Sequence, residues 1–547
     1  MDASITEINS YIAQLSLPRE TFDTLSFCNA SQNNLKDYLE QLPHSNPAEL
    51  CNRLYKLLPE IAGLNVPSGR KLALLDMVRP EAINCVLRLT KNLVLTPTTT
   101  KSLSLSIAML RYLAEGYKSV LVTALKIPAS PPNLIVSSSH STIEVLSQIL
   151  MECWECYISP PANTWKEIHA IYQIARLRNL ESITPGSSRI STGIAATVRA
   201  AYVRPLLMAC ADTSRYAPQE LRQIAAFLST AGNLVDFAQN HLDGIFVVNA
   251  MGDKGPEYSF KVEGTTKRHF HLRTDKLVKH IEDRLTSGTL TGLPARLARD
   301  LCRYWSEEVR REDHPVTDNS ETTLIFGLGN IHRELSGTES FDEYMQQLTT
   351  NHQHGGLRLE LAEDGASSHR DIFIDRVRSA NRFDIKDKPI PYDENRKSKS
   401  MRKYSGLRTN HSESGARLEV DAPSEILTTG ELVAFQPSNS QQWSLGLVRW
   451  IKITPKLTRI LGVQLFRGTA NACVISQITA GSDGSEQHYP GLELSRDSRV
   501  VLIVSSLPFR EYSTVSLQSP AGKRTTRLVN KTAETYHIAC FNLDKPS

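Results

Sequence analysis

The chain of 547 residues has no long apolar run. Its longest, residues 500–504 and 245–248, fall far short of the roughly 20 residues a helix needs to cross a bilayer. No transmembrane segment is expected. The first residues, MDASITEINSYIAQL, are acidic where an export signal is basic, so export is not expected either. The nine cysteines are scattered and odd in number, which does not make a disulfide framework and fits a reducing cytoplasm. Excess charge is also lacking: 62 Lys and Arg against 58 Asp and Glu argue for neither a nucleic-acid nor a membrane partner. There is no G-x-S-x-G elbow, H-E-x-x-H helix or Walker loop, and no carboxylate pair stands out as acid and base. The chain is read as a non-enzyme with no cofactor and no metal.

A composition of 40% hydrophobic and 22% charged residues is that of a folded globular chain, and the length implies two or three domains. Residues 1–235 read as a helical domain. Leu50, Leu54, Leu57, Leu58 and Ile61 make one apolar stripe, preceded by Asn46-Pro47-Ala48-Glu49, which offers a capping side chain, a first-turn proline and a capping-box glutamate. Further stripes lie at Ile143, Leu146, Ile149, Leu150 and Cys153, and at Leu221, Ile224, Ala225 and Leu228. No fixed period marks a solenoid.

Residues 236–335 read as a mixed α/β continuation, with strand-like GIFVVNAM and HFHLR around the turn-prone Gly252-Asp253-Lys254-Gly255-Pro256, then helices at 276–285, 293–308 and 324–335. Residues 336–403 are polar and charge-rich, and read as a flexible linker with a short strand near 371–375. From residue 404 to the end, ARLEV, ELVAF, SLGLVRWI, RILGVQLF, RVVLIVSS and YHIACF read as short strands of an antiparallel barrel, an architecture that leaves few exposed edges.

Four segments in order carry the functional reading. Asn410-His411-Ser412-Glu413-Ser414-Gly415 has the spacing N-x-S-x-x-G just ahead of a strand, a turn that can present side chains and amides to a ligand. It is followed by Gly430-Glu431-Leu432-Val433, by Gly446-Leu447-Val448-Arg449-Trp450, and by Leu461-Gly462-Val463-Gln464-Leu465-Phe466. This succession resembles the PilZ family. LPHSNPAELCNRLYKLLPEI, RKLALLDMVRP, LAEGYKSV and RPLLMACADTSRY are similar to segments of a gammaproteobacterial family of long PilZ-containing proteins with a helical N-terminal region.

The resemblance implies a multidomain chain, mostly α-helical at its N-terminus, with a PilZ-like barrel and extra C-terminal strands over 404–547. It also implies cyclic di-GMP as ligand. PilZ domains add an R-x-x-x-R element ahead of the barrel, because guanidinium forks bond phosphate oxygens in pairs and stack on bases. Arg378-Ser379-Ala380-Asn381-Arg382 has that spacing. The implied site is therefore Arg378 and Arg382 on the phosphates, Asn410 and Ser412 on a guanine edge, and Gly415 permitting close approach. A rival basic set is Arg396, Arg402 and Arg408.

The chain is accordingly expected to be a cytoplasmic cyclic di-GMP effector that couples nucleotide binding to a helical region docking a protein partner. The alternative is a nucleotide-independent scaffold with a degenerate barrel, and nucleic-acid binding by the basic stretch 396–408 ranks below both. Cys153-Trp154-Glu155-Cys156 continues an apolar stripe and reads as buried thiols. His269 with His271 and His352 with His354 read as ordinary histidines, Gly327-Leu328-Gly329 as a tight turn, and Arg204, Asp212 and Arg215 as an ion-pair feature of the helical core.

Overall fold

A computed structural model describes residues 2–91, 93–186, 197–231, 234–238, 244–264, 266, 268–307, 316–353, 402–421, 427–477, 487–496 and 499–544. The chain divides into two compact units, Met1–His314 with Pro423–Thr429 and Trp450–Leu461, and Pro315–Ala422 with Gly430–Arg449 and Gly462–Ser547.

The first unit holds α1 (Asp2–Ile12), α2 (Gln32–Glu40), α3 (Pro47–Ala62), α4 (Ser68–Thr90), α5 (Thr100–Lys126), α6 (Pro132–Glu155), α7 (Thr164–Leu177), α8 (Val198–Cys210) and α9 (Pro218–Ala231). These are followed by β1 (Asp236–Ala238), β2 (Phe246–Asn249), β3 (Glu257–Tyr258), β4 (His269–Arg273), α10 (Asp275–Thr286) and α11 (Ala295–Ser306). The start of α3 is as the sequence predicts: Asn46 Oδ1 accepts from Glu49 N at 3.3 Å and Pro47 opens the helix. β1 to β4 form one sheet in the order β1-β4-β2-β3. Helices and sheet share a single hydrophobic core running from Ile8 to Trp305.

Some polar groups inside that core are closely paired. Lys118 Nζ lies 2.6 Å from Glu167 Oε1, both side chains being buried. The His169 ring is also buried, its Nε2 2.8 Å from Lys254 O and its Nδ1 2.7 Å from Tyr202 Oη. A carbonyl only accepts, so Nε2 carries the proton and Nδ1 accepts from the tyrosine. Cys153 and Cys156 are buried and burial pushes both thiols up to about 12, which makes them the inert core residues expected. Cys51 and Cys85 form a disulfide between α3 and α4. Residues 450–461 belong to this unit: Ile453 N donates to Tyr157 O at 2.8 Å, and Arg459 Nη2 to Leu95 O at 2.8 Å.

The second unit holds β5 (Val316–Phe326), α12 (Leu328–Ser336), α13 (Phe341–Gln353), β6 (Tyr404–His411), β7 (Gly415–Val420), β8 (Leu432–Pro437), β9 (Ser444–Ile453) and β10 (Arg459–Leu465), the last two running across the division between units. It ends with β11 (Thr469–Gln477), β12 (Gln487–Arg496), β13 (Arg499–Ser505), β14 (Thr514–Ser519), β15 (Gly522–Glu534) and β16 (Ile538–Leu543). These strands close two barrels, one in the order β10-β7-β6-β5-β8-β9 and the other β11-β12-β13-β16-β15-β14.

Three expectations need correction. Of residues 404–547, expected as a PilZ-like barrel with extra C-terminal strands, the extra strands close a second barrel with β11, and the first barrel takes a strand from before residue 404, since β5 pairs with β6 and β8. The helix expected over 324–335 begins at Leu328, because Leu324, Ile325 and Phe326 complete β5 and the chain turns at Gly327, whose φ of +87° suits glycine. Within the stretch read as linker, residues 341–353 are helical. Tyr344 and Leu348 are buried against Ala472 and Val474 of β11, so an F-x-x-Y-M-x-x-L stripe outweighs the surrounding polarity. The strand expected near 371–375 lies outside the described residues.

Candidate functional site

The N-x-S-x-x-G turn joins β6 to β7. Ser412 N donates to Gly415 O at 2.7 Å, closing the turn on itself, and Leu465 N donates to Ser414 O at 2.9 Å, bracing it from β10. Arg467 reaches Glu413 at 3.0 Å. Gly415 is confined by the fold: a Cβ there would sit 3.1 Å from Val463 O. The close approach this glycine permits is that of a neighbouring strand.

β6 is irregular on both sides. Its register shifts between Arg408 and Asn410 against β7, and between the partners of those residues, Thr317 and Ser320, on β5. Such bulges re-aim side chains and cluster beside functional sites. In β7, Ala416, Leu418 and Val420 are buried and Gly415, Arg417 and Glu419 alternate outward. Asn410 stands opposite Arg417 in the ladder, so the two share one face.

Arg417 is the residue that sequence reasoning missed. Its Nε is buried with no hydrogen-bond partner among the described residues, which costs on the order of 1–3 kcal/mol for a polar group and more for a charged one. The signal was present, since an arginine two residues beyond the turn glycine must share its face in a strand. Arg408 differs. It pairs with Asp318 of β5, each side chain 16% exposed, and His411 Nδ1 lies 3.6 Å from the same carboxylate. The Ser320 hydroxyl and Arg408 together hold Asp318 below its ordinary range, against the cost of desolvation. The rival basic set therefore has one arginine already neutralised.

Among the residues predicted for the site, the structure brings Asn410, Ser412 and Gly415 together at one end of the first barrel. Arg378 and Arg382 lie outside the described residues, as does Arg396. No group of three or more metal-ligating side chains occurs among the described residues. An outward guanidinium, an amide and a hydroxyl on a braced turn suit a ligand with phosphate oxygens and hydrogen-bonding base edges.

Residues 33–241 match the family model "Cyclic-di-GMP receptor FimW, N-terminal domain", and residues 245–471 match "Cyclic-di-GMP receptor FimW, middle PilZ domain". Along nearly the whole chain there is likeness to the cyclic-di-GMP receptor FimW of Pseudomonas aeruginosa, 24% identical over 577 residues that cover 96% of this chain and 92% of the relative. The middle model ends within the first strand of the second barrel, so the barrel it contains is the one bearing the N-x-S-x-x-G turn. The chain belongs to the PilZ-domain proteins, in the family of long chains whose PilZ barrel follows a helical N-terminal region.

Proposed function

We propose that this chain is a non-catalytic, cytoplasmic effector that binds cyclic di-GMP at its first barrel. The observation that carries the reading is the braced turn from Asn410 to Gly415 beside an arginine, Arg417, whose buried Nε has no partner among the described residues. The printed name of the relative, a cyclic-di-GMP receptor, supports the same ligand.

In this reading Asn410 and Ser412 hydrogen-bond a guanine edge, Arg417 meets a phosphate or guanine acceptor, and Gly415 keeps the turn tight. Arg378 and Arg382 complete the site by clamping phosphates and stacking on the bases. No bond is made or broken, so the output is a shift between conformers that bind the nucleotide unequally. The helical region is the part that docks a protein partner. No helix among the described residues is long and apolar enough to cross a membrane.

Isothermal titration of the full chain with cyclic di-GMP is the test. Saturable binding at about 10 µM or tighter, roughly −7 kcal/mol, is expected. No heat at tenfold higher concentration would overturn the reading in favour of a scaffold with a degenerate barrel.

A further inference from the structure

The two barrels are wired alike. With the strands of each numbered first to sixth in chain order, neighbours around the first barrel run first, second, third, sixth, fifth, fourth, and those around the second follow the same cycle. Short connections favour a simple meander, in which every strand lies beside the next. Both barrels depart from it identically, setting the third strand beside the sixth and the fourth beside the first.

They differ where the ligand would sit. The second-to-third connection of the first barrel is the N-x-S-x-x-G turn. In the second barrel β12 and β13 pair as far as Arg496 with Arg499, and only Asp497 and Ser498 separate those residues in sequence. Neither the asparagine-to-serine spacing nor the glycine is present.

What the second barrel has is a seam with the first. Ile325, Ile331 and Leu447 of the first barrel and α12 share one hydrophobic cluster with Leu492, Ile503 and Ile538 of the second. Polar contacts fix the fit. His332 Nε2 donates to Cys473 O at 3.1 Å, Tyr344 Oη to Ala472 O at 2.7 Å, and Thr535 Oγ1 to Gly430 O at 2.8 Å. Gly430 has φ of +81°, and a Cβ on it would lie 2.9 Å from Thr535 Cβ. The glycine that opens the G-E-L-V strand of the PilZ pattern is thus held by the second barrel.

We infer that the C-terminal barrel is a second barrel of PilZ topology without a ligand turn, and that its role is to act as the built-in partner of the first, so that one nucleotide site serves two barrels. The part about the nucleotide rests on the function proposed above, whereas the part about the seam does not.

The experiment has two arms on the full chain. In the first, cyclic di-GMP is titrated into the wild type and into N410A/S412A. A single class of sites is expected, weakened at least about tenfold in the variant, the loss of one or two hydrogen bonds to a charged ligand. A second class that survives the variant at wild-type affinity would overturn the inference. The other arm measures hydrogen exchange without nucleotide in Thr535→Arg, which blocks the seam, and in Thr535→Val, which keeps the shape and removes the hydroxyl.

Exchange in β8, α12 and β16 is expected to rise together, by about tenfold in Thr535→Val, with α3 to α8 unchanged. A rise confined to the neighbours of residue 535 would overturn the partner role. If the wild type binds no nucleotide, the proposed function fails by itself, and the exchange arm still decides whether the second barrel partners the first.

Discussion

Arg417 and Asn410 face each other across the β6–β7 ladder, and the arginine Nε is buried there without a hydrogen-bond partner among the described residues. The fold bears the cost of that unmet donor at the turn that carries the family motif. A bound anion or base acceptor would relieve it.

Replacing Arg417 with alanine should weaken cyclic di-GMP binding by about 10- to 100-fold, the value of a hydrogen bond to a charged group, while the melting temperature stays level or rises. Titration together with thermal unfolding checks this. A loss of binding accompanied by a large loss of stability would instead make Arg417 a structural residue.

Arg378 and Arg382 are expected to act as one clamp. Their double alanine variant should lose binding by more than about 100-fold yet fold normally, since each charge-assisted bidentate contact contributes on the order of 1.5–3 kcal/mol. Unchanged affinity, with native circular dichroism, would remove the pair from the site.

Two motif glycines answer to packing, and the structure ranks them. A Cβ at Gly446 would lie 2.4 Å from Val463 Cγ1 and 2.7 Å from Gln464 O, whereas at Gly415 the nearest atom is Val463 O at 3.1 Å. Gly446→Ala should therefore destabilise by about 1–3 kcal/mol and Gly415→Ala by less. Urea unfolding of the two variants gives the order directly.

Acid should weaken both units. Burial depresses His169 and His332 from 6.5 to about 4, against the pull of the Lys254 and Cys473 carbonyls. The unfolded chain then binds more protons between these values, so the contribution of each ring is complete above pH 6.5 and is lost as pH falls toward 4. It amounts to about 3 kcal/mol per histidine over the full window and roughly 2 kcal/mol by pH 5. The melting temperature at pH 7 and pH 5 tests this, and His332→Phe should flatten the profile of the second unit.

The helical half was legible because its signals are local. The cap at Asn46, the stripe through Leu50 to Ile61 and the strands around Phe246 and Phe270 are each fixed by residues within one or two turns of one another. The family motif was legible for the same reason. The first strand of the barrel was not, because Val316 to Thr323 is polar and earns its place only by pairing with β6 and β8. Arg417 was hidden by a different limit: sequence gives the face a side chain shares, and only the fold shows that its Nε finds no partner among the described residues.

That first strand changes what can be cut from the chain. A fragment beginning at residue 404 would lack β5, leaving β6 and β8 each with a bare edge, and bare edges invite strand exchange and aggregation. The order of synthesis poses the same problem: β5 leaves the ribosome before either of its partners, with residues 327–403 still to come before β6. Until then it is a strand without a sheet, its backbone donors and acceptors left to water.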